Sequence, residues 1–284
     1  MRIRNDNLCL LLKKTKRTQT LDGKKQDQVT SCVLRPSGPS FKELNTVTTT
    51  CLVRDGLSSL SRFSTEYESW KDRHTGSCLI VTDIDRLLGV LKYHGQMVTL
   101  TQTEDKLKIT SSGKQTTIDA SPEARINPSN QATILEWEQN SRSLAETKLD
   151  VPNNLYRLEG GGSKTAFAWY VVDANDLYEA FRCDSMNGQK KNEYQFEGTE
   201  DGNDLYVSTG LDLKGTTRTL ISHEKGMTGH FFVTIKGGME QLFANLNGNV
   251  TVKFFDFHHE GQGIKVLFDL GNGDYVFQSG ILKR

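Results

Sequence analysis

Residues 81–100 read VTDIDRLLGVLKYHGQMVTL and residues 233–252 read VTIKGGMEQLFANLNGNVTV, and the two stretches share one grammar. Each opens on Val-Thr, runs through apolar residues at helical spacing and returns to Val-Thr 17 residues later, and the copies start 152 residues apart. A strand-helix-strand unit written twice in 284 residues points to a duplicated architecture, since a chain of that length holds about two domains with a core each. Only four of the 20 paired positions are identical (Val81/Val233, Thr82/Thr234, Val98/Val250 and Thr99/Thr251), so the order of elements carries the duplication.

The surroundings of each copy repeat as well. Over residues 5–17, Leu8, Leu11 and Leu12 fall on one side of a helix and Lys13, Lys14 and Arg17 on the other, with Lys16 at the margin. Short β-branched runs follow at 28–35, 41–44 and 46–53, divided by turn residues, and a polar crossing spans 54–76. SCLIVT leads into the first copy, whose helix is predicted to begin at Thr82 with Asp85 as its capping-box partner and to bury Ile84, Leu87, Val90 and Leu91. Strands are predicted at 98–103, 106–110 and 115–119. The second half reads as a strand at 166–172, a helix over 173–184 capped by Asp173, and the strands EYQFEG, LYVST and TTRTLIS. HFFVTI then enters the second copy, whose helix buries Met239, Leu242, Phe243 and Leu246 ahead of strands at 250–257, 264–269 and 275–278. The prediction is an α+β chain of two similar domains, 1–120 and 166–284, each an antiparallel sheet with two helices. Residues 121–165 hold three of the five prolines and the Gly160-Gly161-Gly162 run, and read as the connecting linker.

Lys plus Arg and Asp plus Glu both number 35, so any electrostatic attraction to nucleic acid must come from charge placed on one surface. The five cysteines (Cys9, Cys32, Cys51, Cys78, Cys183) are scattered, odd in number and never spaced Cys-x-x-Cys, which argues against a disulfide framework and a zinc knuckle and predicts a reducing compartment. The apolar run in MRIRNDNLCLLLKKTKR is too short for a signal peptide, and the expectation is an intracellular protein that is not secreted. Convergent catalytic groups are not legible. GGGSKT at 160–165 has Ser163 where a phosphate loop needs Gly, and no Gly opens it. His258-His259-Glu260 reads as a turn, because adjacent histidines on a strand point to opposite faces; Asp83 and Asp85 read as helix-start carboxylates. No enzyme activity, metal or cofactor is predicted, and Trp137 is either a linker anchor or a partner contact.

The basic first helix NLCLLLKKTKR, the passage GSCLIVTDIDRLLGVLKYHGQMVTL, the opening VDANDLYEAF, the strand LYVSTG and the run from HFFVTI to DYVFQSGILKR resemble the DNA sliding clamp family of the proliferating-cell nuclear antigen type. The resemblance covers most of the chain apart from residues 54–70 and the linker. It implies a processivity factor whose copies, as a homotrimer, close into a ring around duplex DNA, with helices lining the hole and sheets outside. Such a protein must hold phosphates without reading bases. The candidates are Lys13, Lys14, Lys16 and Arg17 on the first helix, Arg86 and Lys92 on the second, Arg182, Lys190 and Lys191 on and after the third, and Lys236 at the fourth. Asp85, Glu179 and Glu240 share those faces, so the second domain is expected to be only weakly basic. The resemblance further implies edge-to-edge subunit contacts through Gln115 to Ala120 (Thr116, Thr117, Ile118) and Thr216 to Ser222 (Thr217, Thr219, Ile221). It implies a partner pocket for a DNA polymerase, a clamp loader and other replication and repair proteins, formed by Leu44, Val47, Leu155, Leu158 and, after the final strand, Gln278, Ser279, Gly280 and Ile281. The expected location is with the DNA, in a nucleus, nucleoid or viral replication compartment. Two alternatives stay open: a viral-type processivity subunit that binds DNA as a monomer or dimer, and a β-rich structural protein that only self-associates.

Overall fold

The structure, a computed structural model, describes residues 1–21, 24–36, 45–53, 59–70, 78–124, 132–140, 149–150, 155–157, 162–186, 192–210, 216–222, 230–244, 246–257 and 263–283. Residues 1–16, 29–52 and 62–143 form one compact unit, and residues 17–28, 53–61 and 144–284 form the other.

In the first unit, β1 (Arg2–Arg4) leads into α1 (Asn5–Thr15), and β8 (Met97–Thr103), β9 (Lys106–Ser111) and β10 (Lys114–Asp119) build an antiparallel sheet in the order β1-β8-β9-β10. Alternation fixes its faces: Ile3, Val98, Leu100, Leu107, Ile109 and Ile118 are buried, while Arg2, Thr101 and Thr117 point outward. The β9–β10 turn needs two left-handed residues, supplied by Ser112 at φ 37° and Gly113 at φ 81°. β4 (Cys32–Pro36) pairs with β5 (Thr46–Val53) and with β7 (Leu79–Val81), which enters α2 (Ile84–Leu91). Ile84, Leu87 and Leu91 of α2 are buried and Val90 is half-buried. The helix begins two residues later than predicted, because Asp83 is the cap: it adopts an extended backbone and its carboxylate accepts from Arg86 N at 2.8 Å. Thr82 instead donates its hydroxyl to Asp119 O.

Two elements were not expected. The segment read as a polar crossing contains β6 (Ser59–Glu66), in which Leu60 and Phe63 are buried. The stretch read as linker contains α3, residues 134–140, which starts on a reciprocal Thr133/Glu136 capping box. It buries Ile134 and Glu138, and Glu138 accepts two hydrogen bonds from the Arg35 guanidinium, at 2.5 and 2.6 Å. Trp137 is half-buried on the same helix.

The second unit opens on β2 (Arg17–Leu21) and β3 (Lys24–Val29), which pair with each other, and on a small sheet of β11 (Leu149–Asp150), β12 (Leu155–Arg157) and β13 (Ser163–Thr165). Ser163 to Thr165 therefore lie in a strand, and GGGSKT does not lead into a helix as a phosphate loop must. β14 (Ala168–Asp173) runs into α4 (Ala174–Met186), and Asp173 caps the turn by accepting from Asn175 N. β15 (Glu193–Gly198), β16 (Leu205–Thr209), β17 (Thr217–Ser222), β18 (Phe231–Lys236), α5 (Met239–Phe243), β19 (Asn249–Phe257), β20 (Gly263–Asp269) and β21 (Tyr275–Lys283) follow. Strand pairing gives the continuous antiparallel order β17-β16-β15-β18-β21-β20-β19-β14. Beneath it, Phe181 of α4 packs against Tyr194, Phe196, Phe243 and Phe268 with ring centroids 4.6–6.4 Å apart. Gly198 is sterically required: a methyl there would lie 2.3 Å from a ring carbon of Phe231, its cross-strand neighbour.

The duplication is visible element by element. β1-α1 with β8-β9-β10 matches β14-α4 with β19-β20-β21, and the two Val-Thr units become β7-α2-β8 and β18-α5-β19. The second copy's helix is shorter, so Leu246 falls outside it and is half-buried.

Candidate nucleic-acid interface

α1 and α2 run antiparallel, a direction fixed at both ends. At one end the Asn5 amide donates to Leu91 O, Gly95 O and His94 O (2.9, 3.1 and 3.3 Å), closing the carbonyls that the end of α2 leaves open. At the other, the Lys16 ammonium, 18% exposed, is paired with Asp85. The apolar side of α1 is as predicted, with Leu8, Leu11 and Leu12 buried and Thr15 donating to Leu11 O and meeting Thr49 at 2.7 Å.

The cations predicted for this face divide. Lys13, Arg86 and Lys92 are exposed and Lys14 is half-exposed, and none makes an ion pair among the described residues. Lys16 is committed to Asp85. Arg17 is corrected: α1 ends at Thr15 because Lys16 is extended (φ −62°, ψ 134°), so Arg17 begins β2 and is only 4% exposed, out of reach of a phosphate. In the second unit Arg182 lies 3.3 Å from Glu179, one helical turn away, and Asp176 adds another carboxylate to α4. Lys236 ends β18 rather than sitting on a helix, and it is paired with Glu193. Lys190 and Lys191 lie outside the described residues. Of the predicted cations that the structure describes, those without a carboxylate partner are thus in the first unit.

Two strands close their sheets without a second partner among the described residues. β10 pairs only with β9, and β17 only with β16. Thr117 is exposed, while Thr116, Thr217 and Thr219 are half-buried. Ile118 and Ile221 point into their cores at 3% and 4% exposure, so they hold the strands in register rather than meet a neighbour.

The residues expected to form a partner pocket differ in exposure. Val47 is buried in β5. Gln278, Ser279 and Gly280 are buried inside β21, which runs nine residues rather than ending at 278, and the Gln278 amide donates to Lys236 O. Only Ile281 is exposed there, and Leu155 is half-buried on β12. Leu44, Leu158 and the His258-His259-Glu260 turn lie outside the described residues.

No protein-family model matches the sequence, and no curated protein matches it. Solved structures match over 100% of the chain. The DNA polymerase sliding clamp from Bacillus subtilis does so with a TM-score of 0.60 at 12% identity, and the DNA polymerase III subunit beta from Pseudomonas aeruginosa with 0.59 at 14%. The A. fulgidus PCNA solved with the C-terminal region of FEN-1 bound matches with a TM-score of 0.54 at 12% identity. The chain has the sliding-clamp fold. It spans 64% and 66% of the two bacterial clamps and 97% of the A. fulgidus PCNA chain.

Within this clamp fold, three residues stand out that sequence patterning passed over. Tyr156 of β12 stacks on Phe277 at 5.3 Å and meets Phe257 edge-on at 4.7 Å. Lys114 opens the edge strand β10, and Tyr93, in the turn after α2, is 75% exposed. None carried a periodic signal, since each is decided by which face of a turn or short strand it occupies.

Proposed function

We propose that this chain is a processivity factor: copies of it join, as a homotrimer, around duplex DNA and tether a DNA polymerase, a clamp loader and other replication proteins to it without catalysing a reaction. The observation that carries the reading is the sliding-clamp fold over the full chain, supported by two open strand edges, β10 and β17, of the kind that pair with another chain. Lys13, Lys14, Arg86 and Lys92 meet phosphates and carry no sequence information, which suits a protein that slides. Such a protein acts where the DNA is, and no described helix is long and apolar enough to cross a membrane.

The test is retention on closed circular DNA, followed by linearisation, beside solution mass by light scattering. A mass of three 31.9 kDa chains, and protein held on circles but lost from linear DNA at elevated salt, is the expected result. A second reading, a subunit that binds DNA as a monomer or dimer, draws on the predicted cations among the described residues, of which those without a carboxylate partner lie in the first unit. It predicts a mass of one or two chains and equal release from circles and linear DNA.

A further inference from the structure

The turn that follows α2, residues 92–95, is bonded more densely than its position on the surface requires. Tyr93 N donates to Val90 O and His94 N to Leu91 O. The Asn5 amide takes Leu91 O, His94 O and Gly95 O, and Asn5 N takes Gln96 O. The Lys114 ammonium donates to Tyr93 O at 2.9 Å. The His94 ring bridges Ser111 Oγ and Thr116 Oγ1 at 2.8 and 3.1 Å, and Gly95 N donates to Ser111 Oγ. At the apex of this fixed turn the ring of Tyr93 stands 75% exposed and makes no aromatic contact among the described residues.

The backbone carbonyls of residues 91, 93, 94, 95 and 96 already accept hydrogen bonds, so what the turn offers a ligand is chiefly side chains: one aromatic ring, the ammonium of its sequence neighbour Lys92 and the Lys114 ammonium that holds its carbonyl. Neither lysine makes an ion pair among the described residues. An exposed π-face on a fixed turn, with two cations nearby that lack carboxylate partners among the described residues, complements a ligand that has a π-face of its own and negative charge alongside, which is the chemistry of a nucleotide in a single strand. Duplex DNA does not supply it, because its bases are stacked on one another.

We propose that Tyr93, with Lys92 and Lys114, is a stacking site for an unpaired base, so that this end of the α1–α2 pair takes single-stranded nucleic acid where a duplex ends. The inference rests on the DNA-binding reading above and adds to it a second form of the ligand. Nothing here depends on a closed ring.

The test measures binding of the full chain to fluorescently labelled oligo(dT) of about 20 nucleotides, long enough to cross one such site, and to a duplex of equal length. Tyr93→Ala is expected to weaken oligo(dT) binding about tenfold and duplex binding less than about twofold, the loss of one base–aromatic stack. Tyr93→Phe keeps the π-face and is expected to keep the affinity. Because the ring is exposed, neither change disturbs the core, which thermal unfolding checks. Wild-type binding to the duplex with oligo(dT) affinity unchanged in Tyr93→Ala overturns this site alone. A fall in solution mass in Tyr93→Ala with oligo(dT) affinity intact overturns it in favour of a contact between chains. A wild-type chain that binds neither probe overturns both this site and the function proposed above.

Discussion

Tyr194 carries its hydroxyl into the core of the second unit, edge-on to Phe181 at 4.6 Å, and the hydroxyl has no hydrogen-bond partner among the described residues. Burial, reinforced by the charges of Asp184 and Glu240, pushes its pKa well above the ordinary tyrosine value. An acid whose folded pKa is raised contributes stability that is complete below its unfolded pKa, about 10 for tyrosine, and is lost as pH rises past it, because only the unfolded chain then releases the proton. Tyr194→Phe is therefore expected to match or exceed the wild type at pH 7 by up to about 1 kcal/mol in urea titrations, and to lose less stability between about pH 9.5 and 11. An equal alkaline decline in both proteins would sink this account. Cys32, raised by burial and by neighbouring Cys51, acts in the same direction and begins lower on the pH scale, which is why the comparison is between variants. At this scale the sequence was legible where a residue obeyed a period, as Leu8, Leu11, Leu12, Ile84, Leu87 and Leu91 did. It was not legible at Arg17, where a helical wheel continued past a stop made by backbone geometry alone. Nor was it at Gln278, whose burial follows from a strand running further than its apolar letters, or at Val47, which lies inside a run already read as a strand and faces its core.

At the scale of elements, strong alternation or helical spacing produced the strands and helices of both Val-Thr units close to where they lie. β6 was missed because SLSRFSTE has only two apolar residues, Leu60 and Phe63, and at three positions apart they fall on opposite faces and give no alternation. α3 was missed because the signal that starts it, Thr133 with Glu136, sits in a proline-rich stretch and because its anchor is a charged pair, Arg35 with Glu138, which no hydrophobic pattern announces. β10 and β17 were legible as strands, since β-branched runs flanked by turns mark both, while the expectation that they are edges came from the family resemblance. If those edges join copies of the chain, a lysine on each should block the pairing, as native proteins blunt exposed edges. Thr117→Lys with Thr219→Lys is expected to give the mass of one 31.9 kDa chain by light scattering, with thermal unfolding unchanged because neither side chain is fully buried. A mass unaltered from the wild type rejects these strands as the interface.

For the whole molecule, the cations are the quantity that separates the units. Both are built on the same order of strands, yet in the first unit Lys13, Lys14, Arg86 and Lys92 stand without carboxylate partners among the described residues, whereas in the second Arg182 answers Glu179 and Lys236 answers Glu193. A cation that must leave a carboxylate to reach a phosphate gains little, because the ion pair it gives up offsets the one it makes, and it releases fewer counterions from the DNA. Of these cations, those of the first unit should therefore contribute most to the salt dependence of duplex binding. Lys13→Ala, Lys14→Ala and Arg86→Ala combined are expected to flatten the slope of log affinity against log salt by up to about 0.9 for each phosphate no longer neutralised, and to weaken every duplex sequence alike. Arg182→Ala with Lys236→Ala is expected to change the slope by less than about 0.5 in all, about half the effect of a single phosphate. Arg17→Ala separates a DNA effect from a folding one: its side chain is buried, so it should lower the unfolding temperature, which the exposed substitutions leave alone. Equal flattening by the two sets would mean that the second unit's ion pairs open on DNA and that both units grip the duplex. A loss confined to one duplex sequence would mean that the protein reads bases, and a protein that reads bases does not slide.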